Sequence, residues 1–116
     1  MSQPPYNLDK IEQLASGDPS FVKEMVTLFY HTVPDLLLRL EVALGKNDLD
    51  EVVLAAHKLI SPLETIQASS LVLLAREIEN RGRRNGVDEP VGTSFPELKS
   101  TLGGILNDLK TRFNLS

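Results

Sequence analysis

The sequence predicts an all-α protein, an antiparallel up-down four-helix bundle with a short additional helix at its N-terminus. Three observations predict it. Apolar residues recur at helical spacing through four long stretches, the connections between them are short, and no run alternates as a strand does. The 116 residues suffice for one domain with one core, expected over residues 7–116, with residues 1–6 a flexible arm.

Each element has its own signals. Residues 1–6 hold two prolines and no periodicity. Asn7 can cap a short helix from Leu8 to Ala15 that buries Leu8, Ile11 and Leu14 or Ala15, with Gly17 ending it. Asp18-Pro19 is a helix start, aspartate as cap and proline at the first helical position. Phe21, Met25, Leu28, Phe29, Val33, Leu36, Leu37, Leu40 and Leu44 carry that helix to about Leu44, with Gly45 beyond its end. Pro34 removes one hydrogen bond and bends the helix; two helices broken at Pro34 are the alternative. His31 reads as a structural or surface residue.

Asp48, with Glu51 three residues on, has the spacing of a capping box. The helix that follows should reach Ile66 or Gln67, with Pro62 interrupting its bonding to the Lys58 carbonyl. Ser69 or Ser70 can cap the next helix, through about Asn85, with Leu71, Leu74, Ala75 and Ile78 buried and Asn85-Gly86 at its end. Residues 86–94 read as a loop. Ser94-Phe95-Pro96-Glu97 then has capping spacing for a last helix to about Phe113. Gly103-Gly104 weakens that helix by roughly 1 kcal/mol per glycine, or allows close packing.

Composition narrows function. There is no cysteine, hence no disulfide or thiol chemistry, and only two histidines, so neither a metal nor another cofactor is expected. No apolar run approaches the roughly 20 residues that span a bilayer. The N-terminus lacks the basic and apolar regions of a signal peptide, so a cytoplasmic protein free of membranes is expected. A net charge of −4 argues against nucleic acid as a partner. The one basic cluster, Arg81, Arg83 and Arg84, falls at a predicted helix end, where cations oppose the negative end of the macrodipole.

One residue stands out. Leu49, Val52, Val53, Ala56, Ile60 and Leu63 share one side of a helix, and His57 lies about 100° from the centre of that stripe. An imidazole there packs its stem and keeps a ring nitrogen in water. That suits a nucleophile or proton acceptor for something arriving from outside. Leu54 and Ser61 lie near His57 on the outward side, and Glu64 two turns on.

His57, Leu59, Ala68, Leu71 and Ile78-Glu79, with Asp18-Pro19-Ser20-Phe21, Leu28-Phe29 and Val33 to Leu37 upstream, resemble histidine-containing phosphotransfer (HPt) domains over about residues 8–85. The family's Lys three residues after the histidine is Ile60 here, the Gly after that is Ser61, and the Gly before Ala68 is Gln67. The resemblance implies a cytoplasmic four-helix phosphoprotein of multistep two-component signal transduction, a phosphocarrier rather than an enzyme. His57 would take a phosphoryl group from a receiver-domain phosphoaspartate and yield it to another receiver. Glu79, Lys58 and Ser61 would support it; Leu54, Ile60 and Glu64 would meet the partner. Partners would be receiver domains of hybrid sensor kinases and response regulators, which supply the magnesium, and the chain is expected to act as a monomer. Ile60 in place of Lys favours the alternative, a receiver-binding module with weakened or lost phosphotransfer. A third reading, an enzyme using Glu51, Glu64, Glu77 or Glu79 as acid and base, lacks a partner set that marks catalysis.

Overall fold

The computed structural model describes residues 5–84 and 89–115. Its elements are α1 (Asp9–Ala15), α2 (Pro19–Lys46), α3 (Leu49–Thr65), α4 (Ser69–Arg83) and α5 (Glu89–Phe113), with no strand among the described residues. α2 packs on α3, α3 on α4, α4 on α5 and α5 back on α2, which closes a four-helix bundle; α1 lies against α2. Paired residues nest around the α3–α4 turn, as antiparallel neighbours must. Glu64 meets Arg76 close to the α3–α4 turn, and His57 meets Glu79 farther out.

The start signals act largely as expected. The Asp18 side chain accepts from the Ser20 N–H with Pro19 in the first turn, and Asp48 accepts from the Glu51 N–H. Only half the capping box forms, because Glu51 turns instead to Arg39 at 2.7 Å. α2 continues through Pro34 as one helix and also through Gly45. Its end is made by Asn47 in the left-handed region at φ 53°, whose follower Asp48 donates back to the Ala43 carbonyl. The left-handed turn satisfies the last carbonyls, and asparagine tolerates it better than most residues. α3 ends the same way. Gln67 is left-handed at φ 53°, and Ala68 N–H donates to the Leu63 carbonyl.

α1 has no side-chain cap at Leu8. Asn7 Oδ1 accepts from the Asp9 N–H, and Gln67 Oε1, from the α3–α4 turn, accepts from the Lys10 N–H. Gln67 thus fixes α1 across one end of the bundle. Of the two candidates for burial there, Ala15 is inside and Leu14 outside; Ser16 and Gly17 are both left-handed after it. Tyr6, expected in a loose arm, belongs to the core, and its hydroxyl donates to Asp108 of α5. Residues 1–4 of that arm lie outside the described residues.

Three further expectations are corrected. α4 begins at Ser69 after Ala68, with no side-chain cap from either serine, and ends at Arg83; Asn85-Gly86 lies outside the described residues. α5 begins at Glu89, so residues 89–94 are helix rather than loop. Ser94 is therefore no cap, and its hydroxyl donates to Glu77 of α4 at 3.1 Å. Leu28, expected inward, is exposed. Much of the predicted core is in place: Val33, Leu40, Val52, Ala56, Leu63, Leu71, Ile78, Leu98, Leu102, Ile105 and Leu109 are buried, whereas Phe21, Leu49 and Val53 are only half-buried and Val26, Leu59, Ile66 and Val72 join the core unpredicted. Burying a side chain of this size stabilises by about 1.5–3 kcal/mol relative to leaving it exposed.

Candidate functional site

The apolar stripe of α3 turns its buried residues to the bundle and leaves His57 at the edge, its side chain 65% exposed. α4 lies alongside and brings Glu79 behind the ring. Glu79 Oε2 is 2.9 Å from His57 Nδ1. It is a buried charged residue, only 7% exposed, yet it is fully partnered. The same oxygen accepts from Nη2 of Arg83, one turn on in α4, at 2.7 Å. Burial pushes the Glu79 carboxyl up, but the Arg83 and His57 bonds and charges outweigh it and hold the group below the usual carboxylate range.

That balance dictates the tautomer. An ionised carboxylate only accepts, so Nδ1 must carry the hydrogen. In the neutral ring the lone pair is then on Nε2, the nitrogen away from Glu79. The carboxylate orients the imidazole as a partner does for a metal-bound histidine. Among the described residues no group of histidine and acidic side chains could hold a metal ion.

The close approach of α3 and α4 depends on Gly82. A Cβ at that position would stand 2.9 Å from Val53 Cγ2 and 3.3 Å from Val52 Cγ1. Gly82 lies between Glu79 and Arg83, so the same contact that seats α4 on α3 sets the carboxylate behind the imidazole. From sequence, Arg83 reads only as a charge at a helix end and Gly82 has no assigned role. Arg83 had a local signal, since Glu79 and Arg83 are spaced i, i+4, the spacing of a helical ion pair. Gly82 had none, because its need for a missing side chain arises only from α3.

The other expected site residues divide. Leu54 is 43% exposed, Ser61 and Glu64 are exposed, and with His57 they run along one edge of α3. Glu64 is bonded to Arg76 at 3.4 Å. Lys58 is exposed, but it faces the α2 side. With Ser61 and Pro62 it lines a groove whose α2 wall is Met25, Leu28, Phe29, Thr32 and Leu36. Ile60 is a correction: it is 7% exposed and packs in the core, so it is no partner contact. Its place on the buried stripe outweighs its nearness to His57 in sequence.

The four carboxylates of the enzymatic reading do not converge. Glu51 pairs with Arg39, Glu64 with Arg76, Glu77 with Ser94, and Glu79 with His57 and Arg83. Among the described residues no helix is long and apolar enough to cross a membrane.

No curated protein and no solved structure matches the chain. Among protein families, the Hpt domain matches residues 24–109, from the first turns of α2 nearly to the end of α5. The matched span holds His57, Glu79 and Arg83 and covers most of the sequence, so the chain belongs to the Hpt domain family, whose members act as phosphocarriers in phosphorelays and not as enzymes.

Proposed function

We propose that His57 is the phosphoryl acceptor of this carrier. It takes the group on Nε2 from the phosphoaspartate of one receiver domain, that of a hybrid sensor kinase, and passes it to the aspartate of a second, that of a response regulator. The observation that carries this reading is the 2.9 Å contact between Nδ1 and the Glu79 carboxylate. It leaves the lone pair on the exposed nitrogen. In the neutral ring that nitrogen is a nucleophile facing solvent.

The surroundings fit a visitor. Leu54 offers apolar contact beside the ring, and Ser61 and Glu64 continue the same edge. Lys58, with its long stem, can lean over the groove toward an incoming anion. A monomer in the cytoplasm suits a carrier that meets two receivers in turn.

The test is direct. Incubation with a phosphorylated receiver should transfer label that is acid-labile and base-stable. Label that persists in His57→Gln would overturn the assignment. One observation favours a second reading, a module that binds receivers without carrying the group. Ile60 stands where the family has lysine, and it is buried and uncharged. Under that reading a receiver binds as well as to any carrier, but no label moves.

A further inference from the structure

We propose that Glu79 holds the proton on Nδ1 of His57 throughout the phosphorylated state, so that the stored phosphoryl group is kept in the form that leaves most readily. This rests on the reading of His57 as the acceptor.

The electron count leads there. Neutral His57, with its hydrogen on Nδ1, attacks phosphorus with the Nε2 lone pair. The N–P bond forms as the P–O bond to the donor aspartate breaks, and the freed carboxylate keeps that electron pair. The ring then has phosphorus on Nε2 and hydrogen on Nδ1, and is positive. In the onward step an acceptor carboxylate or water oxygen bonds phosphorus, the N–P bond breaks, and Nε2 recovers its pair. The ring is then the neutral tautomer it began as, having neither gained nor lost a proton; where water is the acceptor, its surplus proton passes to solvent. If the Nδ1 proton is lost in between, the leaving group is an imidazolate, a far poorer one, until a proton returns.

Glu79 disfavours that loss. A deprotonated Nδ1 would point its lone pair at Oε2 from 2.9 Å, with an ionised carboxylate on the other side. The protonated ring instead forms a charge-assisted hydrogen bond to a nearly buried carboxylate, the strong kind. The retained positive charge also sits beside the phosphoryl group, where Ile60 supplies none. Arg83 works against this effect, because its own bond to Oε2 draws on the same oxygen.

The other groups around the ring are arranged so that Glu79 dominates. On α3 itself Lys58 faces the groove, and Asp50 and Glu64 lie about two turns away on either side. From α4, Arg76 is paired with Glu64. The α2 wall beside Lys58 is Met25, Leu28, Phe29, Thr32 and Leu36, with no charge. Glu51 at the start of α3 is held by Arg39 of α2. α5 packs on α2 and α4.

The experiment labels the full chain with radioactive phosphoramidate, a small phosphodonor, and follows loss of label at pH 8. Glutamine at 79 can turn either its oxygen or its N–H to Nδ1, so it accommodates the deprotonated ring. Glu79→Gln should therefore lose label about tenfold more slowly than the parent, the scale of one charge-assisted hydrogen bond. Arg83→Met, which leaves Oε2 to His57 alone, should lose it faster than the parent. Opposite shifts from neighbouring side chains are what a loosened helix cannot produce. Equal rates in all three proteins, or both variants moving the same way, overturn the proposal and leave the carrier reading standing. A parent chain that takes no label on His57 overturns both.

Discussion

The two histidines of this chain sit alike and differ in what stands behind them. His31 and His57 are both exposed residues on long helices, and each helix contains a proline three or five residues further on. His31 has a T-shaped contact with the ring of its neighbour Tyr30, centroids 5.5 Å apart. It looks over a shallow surface of Ser20, Lys23, Glu24, Thr27 and Leu28. Among the described residues no carboxylate accepts from it. His57 has a buried carboxylate on Nδ1, itself pinned by an arginine. Exposure therefore does not tell the two imidazoles apart; the carboxylate on Nδ1 does, and it comes from a second helix.

The largest effect expected from this contrast is all-or-none. His57→Gln should take no phosphoryl label from a phosphorylated receiver, and His31→Gln should take as much as the parent. Comparable loss of label from both variants, with both folded by circular dichroism, would remove the contrast altogether.

The carboxylate behind His57 should also be visible in stability. Replacing Glu79 by glutamine removes a nearly buried, charge-assisted hydrogen bond from Arg83. At pH 7 that should cost about 1–3 kcal/mol in urea unfolding. The folded chain holds this carboxyl below its usual range. Its contribution is therefore complete above the titration of an unfolded glutamate, near pH 4.3, and is lost as pH falls through the lower folded value. The gap between parent and Glu79→Gln should shrink between about pH 5 and pH 3. A gap that stays constant across that range would mean Glu79 is not the ionised partner.

Gly82 sharpens the point that the helix pair makes the site. Alanine there meets Val53 at 2.9 Å, and a β-branched side chain in a packed seam has little room to turn. Overpacking costs about 1–3 kcal/mol, against a helix-propensity gain of about 1 kcal/mol, so a net loss of up to about 2 kcal/mol is expected. Gly104 of α5 has nothing within 4 Å of its would-be Cβ. Alanine at 104 should instead stabilise by up to about 1 kcal/mol. Thermal unfolding of the two variants should thus move in opposite directions, and transfer to His57 should slow only in Gly82→Ala.

Much of this was legible beforehand, for local reasons. Asp18-Pro19 and Asp48 cap their helices because a cap is a matter of two or three residues. The inward stripes of α3 and α5 follow from helical period alone, and His57 falls at the edge of one for the same reason. What was not legible depended on neighbours. Gly45 looks like a stop, but the turn into α3 falls two residues later, and Asn47 takes the left-handed position. Ser94 looks like a cap, but it faces Glu77 of α4 from inside a longer helix. Gln67 looks like a poor substitute for glycine, until its side chain is seen holding the first turn of α1. Arg83 reads as a charge at a helix end, and only the packing of α4 on α3 makes it the second donor to Glu79.

The smallest effect concerns the carboxylate that His31 could have used. Asp35 is one turn further along α2, the spacing at which a histidine and an aspartate can pair. Both side chains are exposed, and among the described residues no ion pair joins them. A solvated pair on one helix face contributes at most a few tenths of a kcal/mol, because water serves each group about as well as the other does. Asp35→Asn should accordingly shift unfolding by less than about 0.5 kcal/mol and leave transfer to His57 unchanged. The same chemical change, carboxylate to carboxamide beside a histidine, is then expected to matter at position 79 and not at position 35. The difference is burial and the arginine: Glu79 has few waters to fall back on, and its charge is held in place from both sides. Should Asp35→Asn prove as costly as Glu79→Gln, the carboxylate's surroundings would not be the deciding factor, and the physical ground for proposing His57 over His31 would fail.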